Sequence, residues 1–441
     1  MGTFKFRIQT ATFLIAVGGG ALIATPILAA DPFKLSLGGF AEYYMVALVQ
    51  KPLNNDQVGG QQKARGFQMY WEDAEIWFSA STQLDNGVTV SYRMEMETRN
   101  ADVSNPIDVG IVNSTTSRTH FRDQHQIAFT GSFGRFELGD TDGAANSMQY
   151  SSPWVTKIGV VDGTDLLLNP RGNNAFSGDA NIGTKTGQFN RTNKINYFTP
   201  RFSPGFQFGV SYAPEEEASG RGNGGPDGNA GPVQTEEDDS EFQNITELGV
   251  NFVRSLNGID IAWSLTGVYA QLEECSKFFL VIDGYDGCIN TQANVDRYIG
   301  HTGFQISFGG WTIGGGGSVD NRGIKAGQGI SWETNAGVTY AFGPWSVGIQ
   351  GGYAEVNRHN RETAEPFNVV GGVGTKAAVA LGGSYTLGPG IQLQAEAQYI
   401  NWGNYRLQDS DSGFSAATYE EIDSQRRSHG FAFAFGTALS F

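Results

Sequence analysis

Arg93, Glu95 and Glu97 stand two residues apart, interleaved with Tyr92, Met94 and Met96. In an extended strand that spacing puts the charges on one face and the large apolar groups on the other. Glu42 and Glu75 fall on the polar faces of their own strand candidates. Charges in such a row meet water and act on ions through their field. They are not the machinery of a hydrolase, which needs a nucleophile beside a histidine. No Gly-x-Ser-x-Gly or comparable signature occurs, so no enzyme is expected. His120, His125, His301, His359 and His429 show no metal-ligand spacing, and His301 falls on the polar face of its strand. Gly220, Gly222 and Gly225 have a dinucleotide-binding spacing, but Pro226 follows and no strand–turn–helix surrounds them. Glu236-Glu237-Asp238-Asp239 could attract calcium, yet it lacks the fixed spacing of a calcium loop. The expectation is a chain without a cofactor, with calcium at the acidic loops as the one cation to consider.

The elements that carry these charges are short and two-sided. At the C-terminus Phe431, Phe433, Phe435, Leu439 and Phe441 alternate with Gly430, Ala432, Ala434, Ala438 and Ser440. Similar alternation marks about sixteen strand candidates. They cover 33–46, 67–84, 87–99, 119–132, 134–141, 192–199, 205–213, 243–254, 258–271, 297–309, 311–320, 330–342, 345–355, 376–387, 390–402 and 427–441.

Connections between them alternate in length. Asp85-Asn86-Gly87, Gly309-Gly310, Gly343-Pro344 and Gly388-Pro389 are tight turns. Pro52 to Gly66, Arg99 to Arg118, Thr141 to Arg191, Pro214 to Glu241 and Asn357 to Thr375 are longer and more polar. Short turns on one side, long loops on the other and an even strand count describe an outer-membrane β-barrel. A propeller would repeat every 40–50 residues or so, and no such repeat is present. The apolar faces carry no charge through their middles, as in Ile391, Leu393, Ala395, Ala397 and Tyr399 against Gln392, Gln394, Glu396 and Gln398. Lipid explains that absence, because Lys or Arg at mid-depth costs about 2–4 kcal/mol. Tyr70, Tyr212, Tyr269, Tyr298, Trp345, Tyr353, Tyr385 and Tyr399 cluster near strand ends, at the level of lipid headgroups and lipopolysaccharide.

Composition agrees. Hydrophobic residues make up 39% of the chain, with 61 Gly and 30 Phe, and the mean hydropathy is −0.28. Lys5 and Arg7, then the apolar stretch Thr10 to Leu28 and the small residues Ala29-Ala30, fit a secretory signal at 1–30, with a membrane anchor as the alternative. The barrel would then occupy 31–441. Export makes a disulfide the default for the only two cysteines, Cys275 and Cys288, with two free thiols as the alternative. The net charge of −16 argues against nucleic acid as a partner.

About sixteen strands enclose a space too wide for side chains to fill, so water enters unless something plugs it. The segment 141–191 is the candidate. It exceeds ordinary loop lengths, and Leu166-Leu167-Leu168 need burial. Folding back into the lumen would supply it.

The stretch Thr130-Gly131-Ser132-Phe133-Gly134-Arg135-Phe136-Glu137-Leu138-Gly139-Asp140-Thr141-Asp142-Gly143-Ala144 resembles the "G-x-F-G-x-x-x-x-G-D-x-x-G-A" segment of Gram-negative general porins, most of all the alphaproteobacterial (Rhodobacter-like) group. Asn193 to Phe206 is similar to the porin "N-x-I-x-Y-x-S-P-x-F-x-G-F" segment, with Thr199 for Ser and one extra residue before Gly205. The terminal Phe441 looks like the aromatic that such barrels present to the assembly machinery. The resemblance implies a homotrimeric channel whose third loop folds inward and sets acidic residues against basic wall residues. Carried onto this chain, the loop acids are Asp162, Asp165 and Asp179, and the wall bases are Arg93, Lys194 and Arg122. Glu42, Glu75, Glu95 and Glu97 share the interior face and weaken its basic side, so a cation-preferring or weakly selective pore is expected. A substrate-specific channel and a closed adhesin or structural barrel are the alternatives.

Overall fold

The computed structural model describes residues 32–51, 53–55, 60–62, 64–97, 124–161, 163, 166–167, 182–183, 185–190, 192–216, 242–272, 295–323, 330–358, 372–403 and 428–441. Alternating sequence becomes strand throughout. The elements are β1 (Lys34–Gln50), β2 (Leu53–Asn55), β3 (Gly60–Gln62), β4 (Phe67–Gln83), β5 (Thr89–Glu97), β6 (His125–Gly131), β7 (Gly134–Thr141), β8 (Thr192–Phe198) and β9 (Phe206–Glu215). They continue with β10 (Phe242–Leu256), β11 (Ile259–Leu272), β12 (Arg297–Phe308), β13 (Trp311–Asp320), β14 (Ser331–Phe342), β15 (Trp345–Arg358), β16 (Gly372–Gly388), β17 (Ile391–Gly403) and β18 (Ser428–Ser440). One helical turn, α1 (Ala144–Ser147), and a 3-10 turn at Lys185–Phe189 follow β7.

β1 and β4 to β18 close into one antiparallel barrel of sixteen strands, and β2 and β3 form a separate hairpin in the first long connection. Every barrel strand pairs with its sequence neighbours, and β18 returns to β1. The hairpin turn at Asn257-Gly258 has φ of 53° and 82°. Both residues are left-handed, and Asn-Gly supplies that conformation at little steric cost. The seam is completed by the last residue. Phe441 N–H donates to Gly39 O at 3.0 Å, and Gly39 N–H donates to Phe441 O at 2.9 Å. A Cβ on Gly39 would meet the Phe441 ring at 2.8 Å, so only glycine lets the terminal aromatic lie there.

The barrel is built inside out relative to a water-soluble fold. Phe431, Phe433 and Phe435 are about half exposed on the outer face, whereas Ala432 and Ala434 between them are buried. Leu265, Phe304, Ile313, Val347, Ile349 and Leu381 likewise point outward. Each such side chain would gain about 1.5–3 kcal/mol on leaving water, and a belt of them around a closed sheet finds that gain only in lipid. The inner face carries Glu247, Asn251, Ser264, Glu333, Asn335, Gln350, Gln394, Glu396 and Gln398, all buried.

Candidate functional site

The segment that follows β7 lies against this polar inner face. Its backbone amides are satisfied in order around the wall. Ala144 N–H donates to Ser211 Oγ of β9 at 2.6 Å, Ala145 N–H to Glu247 Oε2 of β10 at 3.0 Å, and Tyr150 N–H to Ser264 Oγ of β11 at 2.8 Å. Ser151 O accepts from Gln305 Nε2 of β12 at 2.9 Å, and Ser152 N–H donates to Asn335 Oδ1 of β14 at 3.0 Å. Lys157 N–H donates to Gln394 Oε1 of β17 at 2.9 Å, and the Thr156 hydroxyl donates to Glu396. A non-strand backbone can be buried only when its polar groups are paired, and here the wall's amides, hydroxyls and carboxylates pair them.

Inward glycines make the room. A Cβ on Gly303 of β12 would collide with Tyr150 O. One on Gly337 of β14 would lie 2.9 Å from Pro153 O, and one on Gly249 of β10 would lie 2.8 Å from Met148 Sδ. On β16 a Cβ at Gly382 would meet the Trp154 ring at 2.9 Å. Glycine inside a strand marks close approach of another backbone, and these four positions seat the segment.

Two apolar clusters hold its far parts. Ile158, Val160, Val161, Leu166, Leu167 and Ile182 pack with Tyr44, Val46 and Leu48 of β1 and with Val356, Ala380, Ile400, Trp402 and Ala434 of the neighbouring wall. Leu166 and Leu167 are thus buried inside the barrel, as their sequence demanded; Leu168 lies outside the described residues. Ala145 and Phe189 pack with Phe242, Ile245, Val268 and Ile299. This inner oil also accounts for β1 running to Gln50, beyond the expected end at 46, because Leu48 has a buried apolar surface to meet.

Apart from Arg297 with Asp320, which pair at 2.6 Å with exposures of 13% and 5%, the ion pairs among the described residues divide into two kinds. In the first the cation reaches solvent inside the barrel and its carboxylate is buried behind it. Arg93 pairs with Glu95 at 2.6 Å, with side-chain exposures of 42% and 10%. Arg135 pairs with Glu137 at 3.1 Å, at 47% and 6%. Lys157 pairs with Glu42 at 3.7 Å, at 55% and 4%. The second kind is sealed. Lys194 pairs with Glu247 at 3.0 Å with both side chains essentially unexposed, beneath the inward segment. The expectation that Lys194 presents its charge to open water is therefore corrected: its ammonium is spent on Glu247 and on Phe189 O.

Of the other expected site residues, Glu75 accepts from Trp77 Nε1 at 2.7 Å. Glu97 pairs with Glu75 in the ladder, and its side chain is not among those described. Asp162, Asp165, Asp179, Arg122, Cys275, Cys288 and the acidic run 236–239 lie outside the described residues. Sequence reasoning placed Glu396 on a polar strand face without making it a site residue, and it missed Glu247, Glu137, Lys157 and Trp77. The signal available for Glu247, Glu137 and Glu396 was a carboxylate on the polar side of an alternating strand, which turns it toward the barrel interior.

The described residues contain no group of three or more His, Cys, Asp or Glu side chains that could hold a metal ion.

Comparisons with known proteins agree with this geometry. A family model described as "Gram-negative porin" matches residues 10–404. No curated protein sequence matches the chain. Among solved structures, the anion-selective porin from Comamonas acidovorans is similar over 93% of this chain and 100% of that one, with a TM-score of 0.52 at 15% identity. A loop-deletion variant of OmpT, an outer membrane protein of Vibrio cholerae, is similar over the same shares, with a TM-score of 0.51 at 11% identity. A variant of the Rh. blastica porin is similar over 92% of this chain and 100% of that one, with a TM-score of 0.45 at 14% identity. At such identities the first two structures share the fold alone. The family match over most of the length, the closed sixteen-stranded barrel and the polar interior together make this chain a member of the Gram-negative porin family, a channel barrel of the outer membrane.

Proposed function

We propose that the protein lets small hydrophilic solutes and ions diffuse passively through a water-filled barrel narrowed by segment 141–191. The observation that carries this reading is the solvent exposure of Arg93, Arg135 and Lys157, whose side chains all project into the barrel interior. A dry barrel would have no place for partly exposed cations such as Arg93 and Lys157.

Selectivity is proposed to be weak and to favour cations. The acidic excess of 16 charges draws cations, while the partly exposed Arg93, Arg135 and Lys157 hold the preference down by turning their positive ends to water. Residues 1–30 act as a secretory signal, Phe441 as the assembly signal, and the barrel works as a homotrimer, as the family resemblance implies. The test is reconstitution into planar bilayers. Stepwise conductance in KCl and a small zero-current potential of cationic sign are expected in a salt gradient. Absence of conductance overturns the channel reading, and a strong anionic potential overturns the selectivity.

A further inference from the structure

Two aromatic rings face the barrel interior without being buried by the inward segment. Phe40 of β1 and Trp77 of β4 lie 5.8 Å apart between centroids, tilted by 55°. Both are only partly buried. A cation stands at each end of the pair. The Arg93 guanidinium lies 4.5 Å from the centre of the Trp77 ring, and the Lys157 ammonium lies 5.4 Å from that of Phe40. The carboxylates that hold these groups sit behind them. Glu95 and Glu42 are buried against the wall, and Glu75 fixes the indole through Trp77 Nε1. The surface offered to a passing solute is therefore aromatic in the middle, with a partly exposed, carboxylate-backed cation at each end.

Bare aromatic rings in a water channel cost free energy unless something covers them. The ring edges suit a planar apolar body, and the partly exposed cations over the ring faces suit an anionic group attached to it. A simple inorganic anion would use only the cations. An organic cation would be repelled by Arg93 and Lys157, which already occupy the ring faces. We propose that Phe40, Trp77, Arg93 and Lys157 form a subsite for small aromatic carboxylates in transit, an inference that rests on the channel reading.

The experiment uses the full chain in planar bilayers, with benzoate as the probe and acetate and benzylammonium as comparisons. Benzoate is expected to reduce KCl conductance saturably, and the comparisons are expected to leave it linear. Trp77→Leu and Arg93→Gln should each raise the half-blocking benzoate concentration about two- to tenfold. Arg254→Gln, at the exposed end of β10, should leave it unchanged. Conductance of each variant in KCl alone verifies that it has folded. Benzoate block that is absent, or equally strong in Trp77→Leu, overturns the subsite while leaving the channel standing. Equal block by acetate also overturns it, because the rings would then contribute nothing. A chain that conducts no ions at all overturns the channel reading, and the subsite falls with it.

Discussion

Lys194 and Glu247 form a fully buried ion pair, 3.0 Å from Nζ to Oε1, between strands that are not neighbours in the barrel. β9 lies between them. The same Lys194 ammonium donates to Phe189 O at 2.7 Å, and the second Glu247 oxygen accepts from Ala145 N–H at 3.0 Å. Ala145 stands at the start of the inward segment and Phe189 near its end. One ion pair therefore fastens both feet of the segment to the wall.

Removing one partner should loosen both feet. Lys194→Met leaves Glu247 buried without its cation, a change that costs about 3–5 kcal/mol when nothing replaces the charge. The expected result is a larger, noisier single-channel conductance and a lower heat-denaturation temperature. Pairing it with Glu247→Leu should recover part of the stability, because a buried pair replaced on both sides is nearly neutral. Single-channel recordings that are identical for wild type and Lys194→Met would contradict the fastening role.

The glycine seat makes a second expectation. Gly303→Val puts branched carbon where the carbonyl of Tyr150 lies, so the segment must lift from β12. Overpacking of this kind costs about 1–3 kcal/mol. Gly267→Ala is the comparison, since its Cβ would come no nearer than 3.4 Å to Ile299 O. Thermal unfolding followed by the shift of the heat-modifiable band should separate the two, with Gly267→Ala close to wild type.

On the outer face, Phe433 pairs with Ala397 and Ala47 in the middle of its strand. Phe433→Lys places a charge in lipid at mid-depth and should cost about 2–4 kcal/mol. The measurement is the folded fraction on refolding into vesicles across a urea series. A midpoint unchanged from wild type would remove the lipid-facing assignment of β18.

Deleting Phe441 removes the two backbone bonds to Gly39 and the ring that covers it. The two bonds together contribute about 1–3 kcal/mol, at the seam where the sheet closes on itself. Refolding yield should fall, and Phe441→Tyr should restore it by keeping both bonds and a ring of similar size. Full yield from the deleted chain would show that the seam closes without it.

The barrel was legible because its signal is local. Period-two alternation is written in neighbouring residues, and β7 and β13 were placed to the residue, at Gly134–Thr141 and Trp311–Asp320. Lys194 was legible only in part. Its face could be read, since Ile195 beside it is exposed to lipid, but its partner lies 53 residues away on a strand that is not adjacent. Trp77 and Phe40 were ordinary strand aromatics until closure turned their side of β4 and β1 inward, alongside Arg93 and Lys157.

From the order of residues alone came the two-sided ribbon, its turns, its strand number and the need of Leu166 and Leu167 for burial. Those follow from backbone geometry and from the gain of moving apolar surface out of water, which act over a few residues. Which inward charges meet the channel and which are sealed was decided by closure of the sheet and by where the described residues 142–161 and 185–190 lie across it. That placement depends on contacts between residues a hundred or more positions apart, such as Tyr150 with Ser264 and Lys157 with Gln394. A charge's exposure is set by what covers it, and in this protein the cover arrives from a distant part of the chain.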